Sequence, residues 1–324
     1  MKNCLVLGGN GFIGGHLVKK LTSQGAWVRV VDLVNGEYGS SAQEVIIGDL
    51  TDFNFMRSNL TQNQKNFDEI YQLAADMGGA GYIFSGEHDA SVMSNSANIN
   101  INLLRSLIEI GGKYPKVFYS SSACVYPEYK QNEPNHSGLR ETDAYPAQPD
   151  SEYGWEKLFS ERLFKSFQKN YGIPVRIARF HNIFGPEGKW QGGREKAPAA
   201  ICRKIVVAKQ MDSIEIWGDG NQTRSFLYIE DCLEAIDKLM KSDCEDILNI
   251  GSTRSVSINE LVGIVAKFEN KEIKIIHLEG PQGVRGRNSN NERIKIKLNW
   301  EPKIDLENGL EKTYFWIKKQ LQMI

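Results

Sequence analysis

A tyrosine and a lysine four residues apart, in the stretch YGWEK, are the first residues of this 324-residue chain able to do chemistry together. Tyr153 and Lys157 at this spacing share one helix face, one turn apart. An ammonium beside a phenol favours the phenolate and lowers a pKa that is ordinarily about 10. A phenolate can take a proton from an alcohol as that alcohol is oxidised. A second reactive type lies at residues 120–128, SSSACVYPE, directly after the apolar run KVFYS. Its Cys124 is either a small buried filler or an acid/base group. A thiol near its usual value of about 8.5 becomes a usable base when cations lie close.

The third feature is GGNGFIG, which spaces Gly8, Gly11 and Gly14 between an apolar strand and an amphipathic helix. Such a turn lets backbone approach a pyrophosphate, and the helix amino end at Phe12 and Ile13 offers unpaired N–H groups with partial positive charge. Asp32 follows at the end of the second strand. A carboxylate there accepts hydrogen bonds from a ribose diol and repels a 2′-phosphate, which favours NAD over NADP. Asp49 and Leu50, ending the third strand, are placed to flank an adenine. With this cofactor at hand, Tyr153 and Lys157 become candidates both to bind it and to catalyse the redox step.

These groups need a scaffold. NCLVLG, WVRVVDL, EVIIGDL, FDEIYQLAA, KVFYSSS and IPVRIARFHNIFG read as strands. They alternate with helical stretches, including one starting near Ser96 and one over residues 153–170. Alternation with apolar strands predicts an α/β fold: a Rossmann-type, doubly wound parallel sheet covered on both faces. The pattern changes after residue 185. We expect an NAD-binding domain over 1–185 with a return segment near 222–250, and a smaller substrate domain from 186–221 and 251–324. Ligands bind at the carboxyl edge of such sheets.

Hydrophobic residues make up 41% and charged residues 24%, as in soluble globular proteins. A net charge of −1 favours neither nucleic acid nor an anionic membrane. No apolar run approaches the roughly 20 residues that span a bilayer. The chain opens directly into strand and glycine turn, with no secretory leader. Five scattered cysteines without a CxxC pair speak against a disulfide framework or a metal site, and for a reducing cytoplasm. An anionic ligand therefore needs local cations. Arg285 and Arg287 in GVRGRNS, Arg224 in NQTRSF and Lys204 are candidates to hold a diphosphate.

Together, the glycine turn, YSSSACVYPE and the Tyr153/Lys157 pair resemble the extended short-chain dehydrogenase/reductase family, which modifies nucleotide sugars. Longer strings are similar to that family's GDP-mannose 3,5-epimerases. They are AADMGGAGYI, SSACVYPE, RFHNIFGPEGKWQGGREKAPAAICRK, WGDGNQTRSF and GPQGVRGRNSNN. The resemblance implies an NAD-dependent nucleotide-sugar epimerase, with a GDP-hexose as substrate and a homodimer built on the helices near 96–110 and 153–170. It makes Ser122, ahead of Ser121, the residue that holds the reacting hydroxyl. It makes Cys124 and Lys196 the opposed acid/base pair. A lysine in a partly dry pocket can fall far enough in pKa to act as an acid. It sets Gly81, Ala123, Asn182, Gln222, Arg224 and Arg285 around the substrate. Within the same fold, another GDP-hexose or GDP-heptose epimerase, a 4-dehydrogenase or, less readily, a 4,6-dehydratase remain alternatives.

Overall fold

Apolar β-branched runs dominate the first half of the chain, and they build a central sheet. The computed structural model describes residues 1–36, 40–61, 66–135, 137–280 and 283–323, except for the side chain of Ala80. Its strands begin with β1 (Asn3–Leu7), β2 (Trp27–Asp32), β3 (Glu44–Ile47), β4 (Glu69–Gln72), β5 (Lys116–Ser122) and β6 (Val175–Phe180). They continue with β7 (Ile183–Phe184), β8 (Ser213–Trp217), β9 (Thr223–Ser225), β10 (Leu227–Tyr228), β11 (Leu248–Ile250), β12 (Ser255–Ser257), β13 (Lys274–Leu278) and β14 (Gly286–Arg287). The helices are α1 (Phe12–Ser23), α2 (Phe53–Thr61), α3 (Ala80–Ile83), α4 (Asp89–Ile110), α5 (Glu152–Tyr171), α6 (Ala197–Val207), α7 (Ile229–Lys241), α8 (Ile258–Ala266), α9 (Glu292–Leu298) and α10 (Leu306–Gln322).

Among the described residues, seven strands form one parallel sheet in the order β11-β6-β5-β4-β1-β2-β3. The chain winds outward in both directions from β1, so the switch point lies between β1 and β4. Alternate side chains of β1 enter opposite layers. Cys4 and Val6 join the core shared with α1 and α7, while Leu5 and Leu7 join the one beneath α4 and α5. This is the doubly wound sheet that the alternation predicts.

Helix α4 begins at Asp89, earlier than the expected Ser96. Its first turns, DASVMSN, are mostly polar and carry only a faint apolar period, while the polar Ser96 and Asn100 are buried on the sheet side. Beyond β7, short strands form a two-stranded sheet of β8 and β13 and a three-stranded one, β12-β9-β14. Among the described residues no helix is long and apolar enough to cross a membrane.

Candidate active site

Helix α5 owes its start to Ser151, whose hydroxyl accepts from Gly154 N at 3.2 Å, and its end to Gly172 in the left-handed region. Gly154 does a second job. A Cβ there would sit 2.2 Å from the carbonyl oxygen of Cys124. Only glycine lets the helix seat directly against the turn after β5. That seating brings Tyr153 and Lys157 to the strand end.

The residues meet as follows. Ser122 caps the short turn Ala123–Val125, accepting from Cys124 N at 3.2 Å, and also hydrogen-bonds Tyr153. Ser121 is committed elsewhere, donating to buried Glu161 at 2.6 Å. Ala123 is buried beneath the turn. Lys157, almost wholly buried, donates to Ser120 O at 3.0 Å, and its ammonium lies 5.6 Å from the Tyr153 ring centroid. Burial pushes this ammonium down, against Glu156, Cys124 and Glu161. Burial also pushes the Tyr153 phenol well above its ordinary value; Cys124 and Glu156 add to this, and the Ser122 hydrogen bond opposes it. The lowering expected from Lys157 is not seen: the cation that opposes the rise is Arg287, and desolvation of the phenolate prevails.

Cys124 faces a cation. Arg287 Nη1 lies 3.1 Å from its Sγ. The same guanidinium is held by Gln131 Oε1 at 2.6 Å and Asp150 Oδ2 at 2.6 Å. Burial alone would lower Arg287, but Cys124 and Asp150 raise it above the usual range. Arg287, expected at a phosphate, thus points to the thiol. Asp150 and Gln131 were not singled out in the sequence; Asp150, immediately before the Ser151 cap, was the available signal. Arg224 is level with Arg287 on the neighbouring parallel strand. Burial and Arg287 push it down to about 9.

Lys196 precedes α6 as its N-cap and is exposed. The surrounding protein lowers its ammonium, while Cys124 and Cys232 oppose that. Its exposure to water screens the lowering. Other expected residues are tied elsewhere. Lys204 donates to Glu215 O at 2.5 Å, and Arg285 makes an exposed bidentate pair with Asp219 at 2.9 and 3.0 Å. Asn182, with φ +46, uses its amide to hold Ser225 O at 2.9 Å. Gln222 is buried and donates to Trp217 O at 3.1 Å. Gly81 sits in α3, facing the Trp217 ring.

Under the turn lies a buried ion pair that spacing alone conceals. Arg179 of β6 donates to both Glu161 oxygens at 2.8 and 2.7 Å, with both side chains 2% exposed. Glu161 falls four residues after Lys157, so Tyr153, Lys157 and Glu161 share one helix face.

The glycine turn fits a dinucleotide. Gly8 adopts φ +79, and a Cβ on Gly14 would lie 2.1 Å from Gly8 O. Gly11 is the N-cap of α1 and brings no side chain to the first-turn N–H groups at Phe12 and Ile13. The ring of Phe12 packs edge-on to His16, and Ile13 packs against the core. Asp32 is oriented at the strand end by Asn10 N at 2.9 Å. Asp49 accepts from Thr51 N and Oγ1 at 2.8 and 2.7 Å, and Leu50 is buried beside it.

Residues 4–251 match the NAD dependent epimerase/dehydratase family. The chain belongs to that family. It is 46% identical over 317 residues to GDP-mannose 3,5-epimerase 1 of Oryza sativa subsp. indica, spanning 98% of this chain and 82% of the rice protein. Among solved structures it resembles UDP-glucose 4-epimerase of Thermotoga maritima, determined with UDP-glucose. The TM-score is 0.86 at 26% identity, over 98% of this chain and 99% of that one. UDP-glucuronic acid 4-epimerase from Bacillus cereus, solved with UDP-glucuronic acid and NAD, shares the fold at a TM-score of 0.83 and 24% identity, over 98% and 99% of the two chains. The family is NAD-dependent, in keeping with the glycine turn and Asp32.

Proposed function

We propose that this protein is a GDP-mannose 3,5-epimerase that forms GDP-L-galactose, GDP-L-gulose or both. The observation that carries this is 46% identity across 98% of the chain to a rice enzyme of that name. The arrangement of Cys124 beside Ser122 and Tyr153 suits the same chemistry. We place NAD on the Gly8–Gly14 turn, with Phe12 and Ile13 at its pyrophosphate, Asp32 at its ribose and Asp49 and Leu50 at its adenine. Bound NAD supplies a reversible two-electron acceptor for the C4 hydrogen and the positive charge that an ionised Tyr153 needs.

Tyr153 takes the proton from the C4 hydroxyl, which Ser122 orients, and Lys157 positions Tyr153. The resulting 4-keto group acidifies the hydrogens on C3 and C5. Cys124 and Lys196 remove and return those protons from opposite faces. Tyr153 finally returns its proton as C4 is reduced. Arg224 serves the diphosphate, with Asn182, Gln222, Lys204, Gly81 and Arg285 around the nucleotide sugar. We assign the protein to the cytoplasm, as a homodimer packed through α4 and α5, where Trp155 and Phe159 are exposed.

The test is incubation with GDP-mannose in deuterated water followed by proton spectra. Deuterium at both C3 and C5 with the two L-sugar products is expected. Deuterium at C5 alone would make it a 5-epimerase, and exchange only into another nucleotide sugar would overturn the substrate.

A further inference from the structure

The proposed acid/base lysine stands on a segment with little rigid structure of its own. Lys196 caps α6 without a side-chain cap bond, and the residues before it form turns and bends rather than helix or strand. A base working across a sugar ring from Cys124 must nonetheless be placed closely, since about 1 Å of misplacement can cost on the order of 100-fold in rate. Something outside this segment has to place it.

The structure offers one contact of the right kind. Arg194, two residues before Lys196, sets its guanidinium 4.3 Å from the ring centroid of Tyr82. His88 stacks parallel to the same ring at 4.1 Å, interplanar angle 18°. One face is thereby filled, so the guanidinium takes the other. Tyr82 is itself anchored. Its hydroxyl donates to Asp76 Oδ1 at 2.9 Å. Asp76 in turn accepts from Asn95 Nδ2 at 3.0 Å, and its backbone N–H donates to Ser96 Oγ at 3.0 Å, both on α4. Backbone also meets backbone: a Cβ on Gly79 would lie 2.9 Å from Glu195 O. On the far side Glu195 accepts from Arg203 of α6 at 3.1 Å and from Gly193 N at 2.7 Å.

We propose that Tyr82 and Arg194 form a latch that positions Lys196, tying its segment to α4 and hence to the central sheet. Both are positioning residues. They act through Lys196, and the mechanism above assigns them no contact with the sugar. The proposal rests on the acid/base role given to Lys196, so its first test needs no substrate. Amide hydrogen exchange is followed across residues 192–196 in the NAD-loaded protein. A cation over an aromatic face contributes about 0.5–2 kcal/mol, which is roughly 2- to 30-fold in local opening. Arg194→Gln and Tyr82→Leu are each expected to speed exchange in this segment by that factor. Tyr82→Phe, which keeps the ring but loses the hydrogen bond to Asp76, is expected to speed it less than Tyr82→Leu does. Unchanged exchange in Arg194→Gln overturns the latch whatever the substrate proves to be.

The second test uses GDP-mannose. Inversion at C3 and C5 is expected to fall about 10- to 100-fold in Arg194→Gln and in Tyr82→Leu, while reduction of bound NAD on mixing, read at 340 nm, stays within about twofold. The double variant is expected to be no slower than the slower single, because both remove one interaction. Losses that multiply, or equal losses in both steps, overturn it. A wild-type protein inert towards GDP-mannose would refute the substrate reading, and the exchange measurement would still decide the latch.

Discussion

Arg224→Met sets stability and binding in opposition. Arg224 is level with Arg287 on the adjacent parallel strand, and burial followed by Arg287 pushes its guanidinium from 12.5 down to about 9. A guanidinium stays protonated at neutral pH. The lowering therefore measures how poorly the sugar-free site accommodates the charge. At about 1.4 kcal/mol per unit the gap corresponds to at most about 5 kcal/mol. Arg224 is partly open to water, and screening brings this to about 1–2 kcal/mol. A diphosphate relieves that penalty and adds charge-assisted hydrogen bonds of about 1.5–3 kcal/mol. Methionine keeps the stem and removes the charge. The sugar-free variant is expected to melt at the same temperature or a few degrees higher. Its affinity for GDP, measured by calorimetry on NAD-loaded protein, is expected to fall roughly 10- to 150-fold. A variant that loses more than about 1 kcal/mol without sugar, yet binds GDP normally, would refute the reasoning and make Arg224 a structural residue.

Other substitutions test separate links. Cys124→Ala is expected to abolish deuterium incorporation from solvent while leaving NAD content unchanged; normal incorporation would remove Cys124 from the chemistry. Gly14→Ala must move Gly8 O away from a position 2.1 Å from the new carbon. It is expected to lose bound NAD and about 1–3 kcal/mol of stability, read from cofactor absorbance and thermal melting. Glu161→Gln leaves Arg179 charged and buried, for an expected loss of about 3–5 kcal/mol in denaturant unfolding. Glu269, held to about 2 mainly by Lys318 with help from Tyr314 and Lys271, stabilises the fold fully above its ordinary 4.5 and loses that as pH falls towards 2. Glu269→Gln is expected to lower the melting temperature at pH 7 and to match wild type near pH 2.

Much of the site can be read without coordinates, and the reasons are local. The spacing of Gly8, Gly11 and Gly14 after an apolar run dictates a tight turn, because Cβ atoms on Gly8 and Gly14 would collide with neighbouring backbone. Tyr153 and Lys157 share a face by helix geometry alone. The start of α4 was less legible, since its buried Ser96 and Asn100 satisfy their hydrogen bonds inside the fold and give no apolar period.

What the order of residues determined by itself is the kind of chemistry: a dinucleotide turn, an ionisable phenol with a lysine, and a thiol at a strand end. Tertiary structure decided the electrical setting of those groups. Arg287 lies 163 residues from Cys124 along the chain and 3.1 Å from it in space. Arg285, two residues earlier and just outside β14, turns instead to Asp219. Burial, which no spacing records, holds the Tyr153 phenol up and the Lys157 ammonium down. Motifs follow from local sterics and periodicity. Charge partners and desolvation follow from which distant segments the packed sheet brings together, and only the folded chain specifies those.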